Sequence, residues 1–282
     1  MKKRDNDDLE PRGALLGPDA DAFRITRHRP GPALAPFVRH YYFIRWDLRG
    51  RPPHHQSTLT LPAVNIVVEG PRDSVSGVIT RRFDRVLAGQ GAVYGCLFRP
   101  AGFSPFWRRP LHLLVDRSLP IAEVLAGDPA ALRAGGDDAA MIAAFEALLL
   151  AAAPIRDPEA EEVDRWAALV EADPTIGRAE LLAERLGLGL RTIQRALRRH
   201  VGVGPKVLIR RHRLLEASHR LSRGEAIDHA ALALALGYAD QSHFIRDFSA
   251  VVGSSPARYR RLLAARSDPR GGLFGQGPRD MP

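Results

Sequence analysis

The chain has 282 residues, of which 45% are hydrophobic, so it is long and apolar enough to bury one large core or two ordinary ones. Lys and Arg number 41 against 32 Asp and Glu, which gives a formal net charge of +9. The single cysteine, Cys96, excludes a disulfide framework and a cysteine-based zinc site. The N-terminus lacks the apolar core of a signal peptide, and the longest apolar run, residues 139–153, is interrupted by Glu146 and too short to span a bilayer. We therefore expect a soluble, cytoplasmic protein without a membrane partner.

The first part of the chain has a β pattern. Short runs of β-branched and aromatic residues alternate with Gly, Pro, Asp and Arg segments, which is typical of an antiparallel sandwich or barrel. The predicted strands are Tyr41–Trp46, Thr58–Leu61, Val64–Val68, Val75–Ile79 and Ala92–Phe98. From Pro120 the spacing becomes helical and predicts helices at residues 121–125, 137–153 and 159–172.

The last third is predicted to be a series of helices joined by short turns. The predicted helices cover residues 178–186, 191–200, 205–221, 228–236 and 240–251, and a last one begins at Pro256. Pro205 and Pro256 both suit the first turn of a helix. The two ends of the chain, residues 1–20 and 267–282, are charged or rich in Gly and Pro, so we expect disordered tails there.

This helical part contains a duplication. The segment Arg195-Ala-Leu…Val201-Gly-Val-Gly-Pro205 recurs fifty-one residues later as Arg246-Asp-Phe…Val252-Gly-Ser-Ser-Pro256. Upstream, Leu182-Ala…Leu186-Gly recurs fifty residues later as Leu232-Ala…Leu236-Gly. The difference of one residue falls between the two halves of each unit, where a turn can absorb it. The repeated unit is therefore a helix, a turn and a second helix, followed by Gly and Pro.

The excess positive charge is confined to the duplicated region. Residues 176–266 hold 17 Lys and Arg against 7 Asp and Glu, a net charge of +10, so the remainder of the chain has a net charge of −1. Because basic side chains that neutralise phosphates dominate nucleic-acid affinity, this asymmetry indicates a polyanionic partner.

The second helix of each unit carries side chains suited to base recognition. In a helix-turn-helix this helix lies in the major groove. Arg matches guanine, Gln matches adenine, and an apolar side chain can contact the thymine methyl group. Helical spacing places one such set on a common face in each unit. The predicted base contacts are Arg191, Gln194 and Arg195 in the first unit and Gln241, Ser242, Ile245 and Arg246 in the second.

The segment between the units supplies further basic residues. Residues 205–222 form a predicted helix of about 27 Å at 1.5 Å per residue, which approaches the roughly 34 Å between successive major grooves. The predicted phosphate contacts are Arg210, Arg211, Arg213, His243 and Arg258. For each of them the alternative is a solvated surface charge.

The two units, and above all Gly237-Tyr-Ala-Asp-Gln-Ser-His-Phe-Ile-Arg-Asp-Phe248…Gly253-Ser-Ser-Pro-Ala-Arg-Tyr259, resemble the AraC/XylS family of bacterial transcription regulators. The resemblance covers about residues 178–264. It implies two helix-turn-helix units joined by a linker helix, promoter DNA as partner, and activation through RNA polymerase. The chain departs from the family pattern at Gly189, where a Ser or Thr cap is common, and at Ile245 and Asp247 on the second unit.

The same resemblance implies a sensor or dimerisation role for the β-rich part, with a small-molecule effector and a homodimer as expected partners. Phe98-Arg-Pro-Ala-Gly-Phe103, with Leu119-Pro-Ile, resembles an uncharacterised N-terminal domain of some family members. The candidate effector pocket comprises Tyr41, Tyr42, Trp46, Phe98, Arg99, Phe103 and Trp107. Ordinary core packing of the aromatic residues is the alternative.

No metal or other cofactor is expected. His54 and His55 follow two prolines in a predicted loop, and as neighbours in a strand they would point to opposite faces. A metal site with His40 would therefore lack a third ligand at useful spacing. Cys96 lies in an apolar strand and is predicted to be a buried hydrophobic residue, with a redox or alkylation sensor as the alternative.

The predicted fold is α+β with two domains: an N-terminal antiparallel β sandwich or barrel with flanking helices, and a C-terminal all-α double helix-turn-helix joined by a linker helix. The predicted boundaries are tail 1–20, sensor or dimerisation domain 21–155, linker region 156–175, DNA-binding domain 176–266 and tail 267–282. The predicted function is sequence-specific transcription regulation in the cytoplasm, at the nucleoid, without enzyme activity. Two alternatives are a DNA-modifying enzyme that uses the helical part for targeting and a structural partner protein whose basic face is incidental.

Overall fold

A computed structural model describes residues 23–223 and 228–267 of the chain. The predicted disordered tails lie outside the described residues, apart from Ser267, which ends the last helix. Within the described ranges, no helix combines the length and apolarity needed to cross a membrane.

The first part of the chain forms antiparallel β-structure. Its strands are β1 (Phe23–His28), β2 (Val38–Leu48), β3 (His54–Thr58), β4 (Asn65–Glu69), β5 (Arg72–Ser76), β6 (Phe83–Leu87), β7 (Gly89–Phe98) and β8 (Ser118–Leu119). Six of them form one sheet in the order β1-β2-β7-β4-β5-β8, and β3 pairs with β6 in a second sheet. All the pairings are antiparallel, as the sequence pattern predicted.

The rest of the described chain is helical. The helices are α1 (Ser104–Trp107), α2 (Ile121–Val124), α3 (Ala130–Ala134), α4 (Asp138–Ala151), α5 (Pro158–Ala172), α6 (Ala179–Leu186), α7 (Leu190–His200), α8 (Pro205–Ser222), α9 (His229–Ala235), α10 (Gln241–Val252) and α11 (Pro256–Ser267). A short 3-10 helix also spans Leu111–Leu114. The predicted helices from residue 121 onward are confirmed to within a few residues at each end.

Two strand predictions are corrected. The predicted strand Thr58–Leu61 is wrong beyond Thr58, which ends β3. Leu59 does not belong to a sheet. Its apolar side chain is fully buried against side chains of the second helix pair. The predicted strand Val75–Ile79 ends already at Ser76, and Gly77 instead begins a connecting segment toward β6.

The six-stranded sheet packs one face on α4. Tyr41 and Phe43 of β2 lie on that face, and Tyr41 stacks on Phe145 of α4 with ring centroids 5.5 Å apart. Because successive side chains of a strand point to opposite faces, Tyr42 lies on the other face of the sheet. That second face is the one covered by β3 and β6.

The helical part contains two helix pairs, α6–α7 and α9–α10, each with its own core. The turns contain Gly187 and Gly237, whose φ angles of 65° and 71° favour glycine. Helix α8 joins the pairs, with Leu208 buried in the first core and Leu221 in the second. The predicted double helix-turn-helix with a linker helix is confirmed.

The β-rich part contacts the helical part at several points. Ser104 of α1 and His200 of α7 are 2.8 Å apart in a buried hydrogen bond. Arg82 donates to the carbonyl oxygen of Val252, at the end of α10, over 2.8 Å. The two helix pairs are therefore each anchored to the β-rich part.

Candidate nucleic-acid interface and intersheet cavity

Helix α7 exposes a polar face in its N-terminal half. Arg191, Gln194 and Arg195 are exposed, whereas Ile193 is fully buried in the core beneath. The helix begins after Gly189, so no side chain caps its first backbone N–H groups. Free N–H groups at a helix start suit an anion such as a phosphate. The structure thus leaves all three predicted base-contact side chains of this unit accessible.

Helix α10 repeats this arrangement in the second unit. Three of its four predicted base-contact residues are exposed: Gln241, Ser242 and Arg246. The fourth, Ile245, is half-buried and packs against the second core. Phe244 and Phe248 are fully buried on the opposite side and fix the rotation of the helix. Only part of the Ile245 side chain is thus free to contact DNA.

The start of α10 is capped by a carboxylate. Asp240 Oδ1 accepts a hydrogen bond from the backbone N–H of His243 over 2.7 Å. Such a cap satisfies one of the free donors of the first turn. The His243 side chain is exposed, as is that of Arg258 on α11, so both predicted phosphate contacts are accessible.

Arg210 is exposed but already paired. Its Nε donates to Asp247 Oδ1 over 2.5 Å, and its side chain is 47% accessible. Tyr238 donates its hydroxyl to the other oxygen of Asp247 over 2.8 Å, and burial raises the pKa of Tyr238. The unusual Asp247 therefore links α8 to α10, and its charge is compensated within the protein.

Two predicted phosphate contacts are corrected. Arg211 is buried and donates to the carbonyl oxygens of Ile79 and Thr80 over 2.9 and 2.6 Å, and burial lowers its pKa to about 10. Arg213 lies with its guanidinium carbon 3.4 Å from the centre of the Tyr238 ring. Both guanidinium groups serve contacts inside the protein, because α8 is packed on several sides and only part of it faces solvent.

The sequence interpretation missed other basic side chains on this surface. Arg198 and Arg199 on α7 and Lys206 on α8 are exposed, and the described part of the chain gives none of them an ion-pair partner. Arg198 lies three residues after Arg195 and seven after Arg191, so helical spacing alone could have placed it on the same face.

A cavity of about 830 Å³ lies between the two sheets. Its walls include Tyr42 and Trp46 of the predicted effector pocket. Tyr42 Oη and the side-chain amide of Asn65 are 2.6 Å apart in a hydrogen bond. The volume is within the range of sites that bind small molecules, about 300–1,000 Å³.

The other predicted pocket residues do not line this cavity. Tyr41, Phe98 and Phe103 are fully buried in the core on the opposite face of the sheet, as the alternative of core packing held. Arg99 forms an ion pair with Asp164 over 2.6 Å. Trp107 lies in that same part of the domain, with the Arg109 guanidinium 4.9 Å from its ring centre.

Strand β1 contributes lining residues that the sequence interpretation missed. Phe23, Ile25 and Arg27 alternate along the strand and face the cavity. Their spacing of two, with Arg24 and Thr26 between them, was an available signal, but the run is short.

The candidate histidine and cysteine sites differ in their surroundings. His54 and His55 begin β3 and do not lie in a loop, which corrects that prediction. His40 is buried, and burial together with the nearby Arg27 and Arg39 lowers its pKa to about 4. Cys96 is fully buried, and burial raises its pKa, so its thiol is unsuited to act as a nucleophile.

Comparison with known proteins divides the chain into two matched segments. Residues 182–262 match a family described as a helix-turn-helix domain. Residues 26–120 match a domain of unknown function, DUF6597. The first match spans both helix pairs and α8, and the second spans most of the strands.

Two transcriptional activators are similar to part of the chain. The HTH-type transcriptional activator RhaS of Pectobacterium carotovorum is 34% identical over 87 residues, which are 31% of this chain and 31% of that protein. RhaS of Escherichia fergusonii is 36% identical over 83 residues, 29% of each chain. The chain thus matches less than a third of the length of these activators.

Two solved structures are also similar. The DNA-binding domain of AdpA, in complex with a target DNA, is 32% identical, covers 41% of this chain and 100% of its own, and has a TM-score of 0.34. ToxT from Vibrio cholerae O395 is 14% identical, covers 86% of this chain and 98% of its own, and has a TM-score of 0.41.

Proposed function

We propose that this member of the AraC/XylS family regulates transcription by inserting α7 and α10 into successive major grooves of promoter DNA. The observation that carries the proposal is the pair of exposed polar faces at the starts of these two helices, each backed by its own apolar core. The side chains on these faces are those whose geometry suits base edges.

Charge supports this proposal. The positive excess of residues 176–266 coincides with the part of the chain that carries the two helix pairs. Arg191 and Arg195 are exposed on α7, and the described residues hold no carboxylate in an ion pair with either of them. Guanidinium groups without internal partners are free to bind phosphates and bases.

The proposal assigns base contact to the exposed polar residues of α7 and α10 and phosphate contact to His243, Arg258 and, on release from Asp247, Arg210. By exposure, Arg198, Arg199 and Lys206 join the phosphate group. RNA polymerase is a proposed partner, since the similar RhaS proteins are named as transcriptional activators.

We further propose that a small molecule in the intersheet cavity controls DNA binding. Ile79 lines the cavity, and its carbonyl oxygen accepts the hydrogen bond from Arg211 of α8. Phe83, another lining residue, directly follows Arg82, which holds the end of α10. One short segment, residues 79–83, therefore connects the cavity wall to the linker helix α8 and to the second helix pair.

Selection of bound duplexes from a random pool, followed by fluorescence anisotropy, tests this function. Arg195→Ala should weaken binding to the selected site by about 1–3 kcal/mol and relax the preference at one base pair. Arg165→Ala removes the same charge from α5, where the side chain pairs with Glu162, and serves as the control.

Two outcomes contradict the proposal. One is a pool that yields no preferred sequence for the wild-type protein. The other is an Arg195→Ala variant that loses the same affinity on the selected site and on random DNA, because a base contact affects only sequences that contain the base.

A further inference from the structure

We propose that the intersheet cavity binds an apolar carboxylic acid, whose carboxylate pairs with Arg27 on β1. This inference rests on the proposed ligand control and names the chemical class of the ligand. It is carried by one charged side chain, that of Arg27, which lines the cavity and has no partner within the described part of the chain.

Arg27 lies half-buried on the cavity wall, and its guanidinium group has neither a hydrogen bond nor an ion pair among the described residues. Its neighbours across the β1–β2 pairing and on the cavity face of β2 are Tyr42 and His40. A guanidinium group has five N–H donors, and removing a charge from water without a partner is costly. Burial accordingly lowers the pKa of Arg27.

The other charged residues of the cavity wall are already matched or solvated. The ion pairs are Arg39 with Glu171, Arg85 with Glu69, and Arg133 with Asp73. Arg72 is exposed to solvent at the rim. Both carboxylates of the wall are therefore neutralised, and Arg27 is left to attract an anion.

The rest of the cavity suits an apolar body. Side chains from four strands present aliphatic and aromatic surface: Ile25, Ile44, Trp46, Val67 and Val93. Gly95 leaves room for the Tyr42 ring, because a Cβ atom at Gly95 would lie 2.0 Å from Tyr42 Cζ.

His40, which also lines the cavity, adds no positive charge beside Arg27. Its Nδ1 is buried and, among the residues that the structure describes, has no hydrogen-bond partner. The lowered pKa of His40 keeps its imidazole neutral at neutral pH, so the anion is attracted by Arg27.

Isothermal titration of the full chain with two matched probes tests the inference. 2-Naphthylacetate carries the charge, and 2-(2-naphthyl)ethanol has the same ring system without it. We expect the acid to bind at least about tenfold more tightly than the alcohol, a difference of about 1.4 kcal/mol. Arg27→Gln should abolish this preference, and Arg27→Lys should keep part of it.

Arg24→Gln is the matched control, because Arg24 lies on the same strand, is exposed and does not line the cavity. It should keep the preference for the acid. The inference is overturned by equal affinity for acid and alcohol, by a full preference in Arg27→Gln, or by the absence of saturable acid binding. Anisotropy on the selected DNA is measured on the same samples. Binding of the acid without binding of DNA overturns the proposed function alone. Binding of DNA without binding of the acid overturns this inference alone.

Discussion

The arginines of α8 show how strongly the surroundings of a single residue decide its part in DNA binding. Arg210, Arg211 and Arg213 are chemically alike, and the sequence alone assigned all three to phosphate. In the structure one pairs with Asp247, one is buried against backbone carbonyls, and one lies on a tyrosine ring. Helical spacing could not separate them, because α8 is packed on more than one side and its buried positions depend on partners remote in sequence.

Asp247 offers a test at the same scale. Asp247→Asn keeps an oxygen that can accept from Tyr238 but removes the charge that holds Arg210. We expect the freed Arg210 to contact a phosphate, so affinity for all duplexes should rise alike. The slope of log K against log salt should steepen by about 0.9, as measured by anisotropy on random DNA at several salt concentrations.

Arg210→Ala provides the control for this change. In that background Asp247→Asn should leave the salt slope unchanged, because no guanidinium remains to be released. A steeper slope in both backgrounds would show that the effect comes from the lost negative charge alone, contrary to the release of Arg210.

At the scale of elements, helices were predictable and several strands were not. The helices of the last third have apolar positions at regular spacing and Gly or Pro at their ends, and these local signals suffice. Strands β3 and β6 pair across twenty-four intervening residues and are rich in polar side chains such as Gln56 and Asp84. Each of these strands is stabilised by a partner that is remote in sequence, so the residue pattern within either strand does not predict the pairing.

The N-terminal cap of α10 can be tested through the thermal stability of the protein. Asp240→Ala removes the acceptor for the His243 N–H, so the protein should lose about 1 kcal/mol of stability, or about 2–4 °C in Tm. Asp240→Asn removes the charge but keeps a good cap, so its Tm should stay close to that of the wild type. Equal melting of the two variants, followed by circular dichroism, would argue against a capping role.

For the whole molecule, the two candidate sites differed in how far the sequence revealed them. The base-contact faces depend on single helices, and the structure leaves Arg191, Gln194 and Arg195 accessible as their spacing implied. The cavity depends on how two sheets face each other. The sequence shows that Tyr41 and Tyr42 lie on opposite faces of β2, but it does not show which face packs on the core and which lines the cavity. The contacts of Arg82 and Arg211 between the two parts of the chain had no sequence signal.

Helix α8 makes a prediction about DNA geometry, because it is continuous and belongs to both cores. Leu208 is buried in the first core and Leu221 in the second, so the helix fixes the spacing of α7 and α10. A rigid spacer accommodates only half-sites one helical turn apart, about 10–10.5 base pairs.

Inserting roughly five base pairs between the selected half-sites turns one of them to the opposite side of the duplex. Affinity measured by anisotropy should then fall to that of a single half-site. A duplex of equal length with the insertion outside the site should bind as before. Tolerance of the central insertion would mean that the two helix pairs move independently, despite the shared helix.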